Sequence, residues 1–448
     1  MYNRSILTEL GKWHNRTNRK PLILRGARQV GKTTAVNLFA SRFRQFVSIN
    51  LDMPEERRIF EEAHSFDELY DSIFFLKNAA KAEGDTLLFI DEIQNSPAAV
   101  KNLRYFYEKY PQLAVIAAGS LLETLIEKEI HFPVGRVEYL AVRPFSFYEF
   151  LEAGEFTKEL EAINTIPFPN YAHEKLLSLF RTYTLIGGMP EIVKLYLEKR
   201  DLTEIKKPVT DLIIAYKDDV EKYAVNNTSA KVLRFIIDNA FKFAAERITF
   251  NNFGGSGYRS REISEAFRLL EKTMLLRLIY PTTSTCLAVV TKNKMSPKLQ
   301  LLDTGLVNFI SGIEKEIFIG NDLTDVYKGK VAEHIIGQEL LSVQYSPEAL
   351  ITFWVREKRQ ASAEIDYLYN FNGKLIPVEV KSGASGKLKS LQIFLENSDA
   401  DVAVRFYSGK YSVEEQRTIA GKKFKLINLP LFLSTELKEY ITLSVHDN

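Results

Sequence analysis

The chain has 448 residues, 46% hydrophobic and 26% charged, with a net charge of +2; this is the balance of a globular chain of about three domains, and it excludes disordered, collagen-like and stapled miniature architectures. One cysteine, Cys286, excludes an internal disulfide framework and a Cys-rich metal site, and fits a reducing compartment. The charge is too even to indicate nucleic acid or a membrane surface by itself, the opening Met1–Ser5 lacks a signal-peptide run, and no stretch reaches the ~18 apolar residues of a membrane span, so the expectation is a soluble, cytoplasmic protein with no membrane partner.

From Pro21 to about Phe150, short apolar runs alternate with helical periodicity. Strands are expected at Pro21–Leu24, Phe46–Leu51, Thr86–Ile90, Leu113–Ala118 and Glu138–Val142. Ser65-Phe66-Asp67-Glu68 and Ser146-Phe147-Tyr148-Glu149 read as capping boxes that open helices. Strand–helix alternation implies a parallel sheet covered on both faces. From Leu151 to about Phe243 the pattern is helical, interrupted at Gly187-Gly188-Met189-Pro190. Arg261 to Leu270 then puts Ile263, Ala266, Phe267 and Leu270 on one helix face, and a hairpin is expected from Leu275–Ile279 and Leu287–Thr291. Three helices and a hairpin imply a winged-helix unit. After Gly329 the order helix, three strands (351–356, 364–369, 375–380), helix (388–396), strand (401–407) implies a second, separate α/β unit.

Gly26-Ala27-Arg28-Gln29-Val30-Gly31-Lys32-Thr33, with Thr34 next, fits the phosphate-wrapping pattern G-x-x-x-x-G-K-[ST]. The glycines let backbone N–H groups turn inward as an anion nest. Lys32 can reach the outer phosphates, the Thr33 hydroxyl can ligate Mg²⁺, and the helix that starts here points its positive end at the same anion. Leu87-Leu88-Phe89-Ile90-Asp91-Glu92 is a buried strand that ends in two carboxylates. Asp91 suits the Mg²⁺ shell and Glu92 can polarise the attacking water. A strand is expected between the phosphate-loop strand and the Asp91 strand in the sheet. Ser120, after the third core strand, is a candidate γ-phosphate or water sensor or else a helix N-cap, and Arg136 is a candidate arginine finger or else an ordinary surface arginine.

These residues carry a resemblance. Residues from about Arg4 to Phe150 resemble the ATPase domain of a large group of bacterial and archaeal AAA-type ATPases, through Gly26–Thr33 (Walker A), Ile90–Gln94 (Walker B), Ala118-Gly119-Ser120, Gly135-Arg136 and Pro144–Phe147. Tyr183, Gly187–Glu191, Pro297-Lys298-Leu299 and Leu302–Leu306 extend the resemblance over most of the chain. The resemblance implies ATP binding and hydrolysis.

In the last region Asp366 and Glu379-Val380-Lys381 form D-(x)12-E-x-K, with Glu333 on the preceding helix. On adjacent strands these groups could meet at one edge. The carboxylates of Glu333, Asp366 and Glu379 would then hold a hard cation, while Lys381 lies on the same strand face as Glu379 and can act on water. The arrangement serves phosphodiester hydrolysis and resembles the restriction-endonuclease-like, PD-(D/E)xK fold, which can also bind without cutting. Basic residues cluster nearby (Arg356, Lys358, Arg359, Lys381, Lys387, Lys389), after the expected wing (Lys292, Lys294, Lys298) and around its helix (Arg259, Arg261, Arg268, Lys272); they are either a DNA-facing surface or a plain solvated one. His334 is expected to be structural or exposed, and Cys286 a small core residue.

The expected organisation is a P-loop ATPase domain over 1–155, a helical lid or linker over 156–225, a winged-helix-like domain over 226–312 and a restriction-endonuclease-like domain over 313–448. The expected activity is Mg²⁺-dependent ATP hydrolysis coupled to a nuclease-like domain that cuts or only binds DNA. The alternative is a nucleotide-dependent switch that binds a protein partner and carries an inert nuclease fold. An arginine finger acting between copies would require a homo-oligomer.

Overall fold

The computed structural model describes residues 2–81, 85–119, 135–221, 224, 226–312, 329–356, 363–381 and 388–446. The chain divides into two compact units, one comprising Met1–Arg143 with Lys272–Met274 and Gln344–Ala349, the other comprising the remainder.

The first unit holds β1 (Leu22–Arg25), β2 (Gln45–Asn50), β3 (Thr86–Asp91), β4 (Ala114–Gly119) and β5 (Glu138–Ala141). All pair in parallel in the order β2-β3-β4-β1-β5, so β4 lies between the loop-bearing β1 and the Asp91-bearing β3. Every residue of β3 and β4 is buried, which explains apolar runs without alternation. The helices are α1 (Ile6–His14), α2 (Lys32–Ala40), α3 (Pro54–Glu62), α4 (Phe66–Leu76) and α5 (Pro97–Lys109). On one side of the sheet Ile23, Val47, Ile90 and Val115 pack with Ile73, Phe74, Leu103 and Phe106, each fully buried side chain contributing about 2 kcal/mol. Ser65 caps α4 by accepting the Glu68 N–H at 3.2 Å, but the Glu68 carboxylate accepts from His64 N–H instead of Ser65. The expected box at Ser65 is therefore only half formed.

The second unit continues with α6 (Phe147–Ala153), α7 (Thr157–Asn164), α8 (His173–Ile186), α9 (Pro190–Lys199), α10 (Lys206–Glu221), α11 (Asn227–Ala240), α12 (Ser260–Lys272) and α13 (Thr304–Ser311). Ser146 and Glu149 form the full capping box of α6. The expected face of α12 (Ile263, Ala266, Phe267, Leu270) is buried. The hairpin differs from expectation. Its strands are β6 (Leu276–Ile279) and β8 (Lys298–Leu301), antiparallel with Ile279 opposite Lys298. Leu287–Thr291 forms no strand; Leu287 and Val290 are 43% and 62% exposed, and the segment has no buried face to hold it in a sheet. Cys286, just before that segment, is exposed, not a core residue. Just after β6, the two-residue β7 (Pro281–Thr282) pairs in parallel with a strand of the last sheet.

That sheet adds β9 (Thr352–Val355), β10 (Glu364–Phe371), β11 (Lys374–Val380), β12 (Val402–Tyr407), β13 (Ser412–Arg417) and β14 (Lys423–Pro430), with α14 (Lys330–Ser342), α15 (Lys389–Glu396) and α16 (Leu437–His446). The strand order is β13-β14-β12-β11-β10-β9-β7. β9, β10 and β11 are antiparallel neighbours, while β12 runs parallel to β11. The expected helix–strand–strand–strand–helix–strand order is present and continues through β13, β14 and α16.

A buried polar joint ties this unit together. Phe145 N–H donates to Gly188 O at 2.7 Å, and Gly188 N–H donates to the Asp303 carboxylate at 2.6 Å. Tyr183 O–H lies 2.7 Å from both Phe145 O and a Glu339 carboxylate oxygen, and the Phe147 N–H donates to Glu339. A Cβ on Gly188 would stand 2.1 Å from Phe145 O, so only glycine fits there. Burial raises Glu339 from 4.5 to about 7 and Asp303 from 3.8 to about 6, against the hydrogen bonds each accepts.

Candidate functional site

β1 delivers the chain into the 26–31 loop, and α2 leaves from it. Gly26 passes so close to the backbone that a Cβ would lie 2.4 Å from Val142 O. Gln29 (φ 61) and Gly31 (φ 91) take the left-handed conformation that curls the loop, with Gly31 as the N-cap of α2. Ala27 and Val30 are buried beneath it, Arg28 is half-buried, and Gln29, Thr33 and Thr34 are exposed. Lys32 Nζ folds back into the loop and donates to Gly26 O and Ala27 O, both at 2.9 Å.

The end of β3 supplies the partner. Thr33 Oγ1 donates to Asp91 Oδ2 at 2.7 Å. Two hard oxygen donors therefore sit side by side at the start of a helix, a set that fits Mg²⁺ beside a phosphate. Glu92 takes a left-handed backbone conformation (φ 52). Its backbone N–H donates to Asp91 Oδ1 at 3.0 Å, and its carboxylate accepts from Gln94. Burial raises the Glu92 carboxyl above the ordinary range, opposed by the Gln94 hydrogen bond. Arg136 pairs with Glu108 on α5 at 3.0 Å and lies over the Tyr107 ring. Ser120 lies outside the described residues.

In the second unit, β10 and β11 bring Asp366, Glu379 and Lys381 to one edge, and α14 adds Glu333. Asp366 Oδ2 accepts the Val380 N–H at 2.8 Å, and Lys381 Nζ pairs with Glu379. Sequence reasoning missed the group among them. Lys298, on β8, is 4% exposed, and its ammonium lies 2.6 Å from Glu333, 2.7 Å from Glu364 and 3.8 Å from Asp366. The ring of Phe353 closes another side, 4.7 Å away. Burial works against its charge, but Glu333, Asp366 and Glu364 outweigh burial and hold it above the ordinary lysine range. Burial also pushes the Glu333 and Glu379 carboxyls upward, with Asp366 adding to both. Glu379 Oε2 is buried without a hydrogen-bond partner. One orphaned oxygen would welcome a cation, but the neighbouring carboxylates already face an ammonium. Among the described residues no group of three Asp, Glu, His or Cys side chains stands as a metal-ligand set. Glu333 and Asp366 therefore do not fit a divalent ion while the Lys298 ammonium is paired to them. Two signals pointed to this arrangement: Glu364 is two residues before Asp366, on the same strand face, and Lys298 sits in the Pro297-Lys298-Leu299 motif.

Lys298 is thus an interior residue, removed from the basic surface set. Arg259, Arg261 and Arg268 remain exposed around α12, with Arg261 paired to Glu265 at 2.7 Å. Lys358, Arg359 and Lys387 lie outside the described residues. His334 is fully buried and structural. It accepts the Leu301 N–H and bonds Thr304, and burial lowers it to about 3, so it is neutral.

Residues 18–151 match the family model of an AAA domain. Residues 177–317 and 328–432 match two domains of unknown function, DUF8612 and DUF4143. No curated protein matches the chain. Among solved structures, the Walker-type ATPase PABY2304 of Pyrococcus abyssi is 15% identical, with a TM-score of 0.44 over 69% of this chain and 96% of that one. PCH-2 of C. elegans is 12% identical, with a TM-score of 0.25 over 60% and 66%. No helix among the described residues is long and apolar enough to cross a membrane. The five-stranded parallel sheet and the glycine loop give the first unit a P-loop NTPase fold, over the stretch that matches the AAA domain model.

Proposed function

We propose that the first unit binds ATP with Mg²⁺ and hydrolyses it to ADP and phosphate. The observation that carries this reading is the 2.7 Å contact between Thr33 and Asp91, at the mouth of a loop whose lysine already points inward. In this account the N–H groups of 26–33 cradle the phosphates, and Lys32 leaves the Gly26 and Ala27 carbonyls for the outer phosphate oxygens. Thr33 and Asp91 would hold Mg²⁺, which supplies charge neutralisation to the phosphates. Glu92 orients water and accepts its proton as the oxygen–phosphorus bond forms. Glu92→Gln tests this: the variant should bind ATP as the native protein does while turnover falls at least a hundredfold. Unchanged turnover would remove Glu92 from its role.

For the second unit, the Asp366, Glu379 and Lys381 grouping supports a restriction-endonuclease-like fold, following a winged-helix-like region, that binds or acts on DNA. A second reading is favoured by Lys298, which neutralises the acidic cluster from within. On that reading the last domain is inert as a nuclease, and the chain is a nucleotide-dependent switch that engages a protein partner.

A further inference from the structure

We propose that Lys298 is a built-in counter-ion which takes the part a divalent cation would play among Glu333, Glu364 and Asp366, so that this cluster is held together without metal. The inference rests on the second reading above. An ammonium has three N–H bonds, and here three carboxylates surround it within 3.8 Å while Phe353 covers another side. Such a cage suits a fixed monovalent cation with an aromatic wall. A hydrated Mg²⁺ or Mn²⁺ prefers six oxygens and room for its waters.

The lysine is also held in place by its backbone. β8 is hydrogen-bonded along β6, and on its other side Ala245 N–H donates to Leu299 O and Leu299 N–H donates to Glu246 O. Lys298 is thus delivered by a strand paired on both edges. The remaining charges around the cluster are Arg247, 3.5 Å from Glu364, and Lys381 on Glu379. Among the described residues, three cations therefore face four carboxylates, and Lys298 is the one that touches three of them. Removing it leaves a buried acidic pocket that must take up protons or another cation.

Mn²⁺ binding to the full chain without nucleotide, counted by electron paramagnetic resonance, tests the proposal. The native protein should hold no Mn²⁺ that Asp366→Asn removes. Lys298→Met should bind one Mn²⁺ at least tenfold more tightly than the native protein, and Asp366→Asn added to it should abolish that binding. Lys298→Met combined with Glu364→Gln, which removes one charge of each sign, carries the test if the single variant does not fold. The proposal is overturned if the native chain binds Mn²⁺ at an Asp366-dependent site. It is equally overturned if the folded lysine variants gain no Mn²⁺ affinity. Nucleotide is absent throughout, and the result should be the same with Lys32→Ala, so failure here is separable from failure of the ATPase reading.

Discussion

Replacing Glu339 with Gln should make the second unit less sensitive to alkali. The Glu339 carboxyl is fully buried between Tyr183 O–H and Phe147 N–H, and burial raises it from 4.5 to about 7. A carboxyl raised in the folded state favours its protonated form there. Its contribution to stability is complete below pH 4.5, where both states are protonated, and is lost as pH rises through about 7. At about 1.4 kcal/mol per pH unit, the loss comes to about 3 kcal/mol. Glutamine cannot ionise, so Glu339→Gln lacks this loss. Relative to native protein, the variant should gain up to about 3 kcal/mol between pH 4.5 and pH 8. Urea unfolding across that range measures the difference. The chain has two tryptophans, Trp13 in the first unit and Trp354 in the second, both buried. In a Trp13→Phe background, Trp354 fluorescence reports the second unit alone. Other buried acids such as Asp303 act in both proteins and cancel. A stability difference that stays constant from pH 4.5 to pH 8 would refute the reasoning.

Gly188→Ala should destabilise the second unit by about 2–4 kcal/mol, combining overpacking against Phe145 with loss of the Phe145–Gly188 hydrogen bond. Its thermal midpoint should fall well below that of Gly257→Ala, where an added methyl meets nothing within 4 Å. Equal midpoints would contradict the tight joint.

The first unit was largely legible because its information is local. β3 and β4 are continuous apolar runs between polar turns, and the glycine loop dictates the turn between β1 and α2. The intervening strand was also foreseeable, although its identity as β4 comes from pairing that sequence order does not reveal. The second unit was legible only in part. Leu287–Thr291 has strand-forming residues but no buried face, so it makes an isolated bridge, Thr291 to Thr282, and Lys298–Leu301 takes the place opposite β6. Lys298 read as one more surface cation because a lysine's burial depends on carboxylates arriving from α14 and β10, far away in sequence. The joint of Tyr183, Gly188, Asp303 and Glu339 was invisible for the same reason: four short motifs meet through contacts of up to 192 residues' separation.

The most direct test of the central claim is calorimetric titration of Mg²⁺–ATP into the intact chain. The account predicts a saturable heat for one site per chain in the native protein, lost or at least a hundredfold weaker in Lys32→Ala. A silent native protein, or a Lys32→Ala variant that binds equally well, would contradict it.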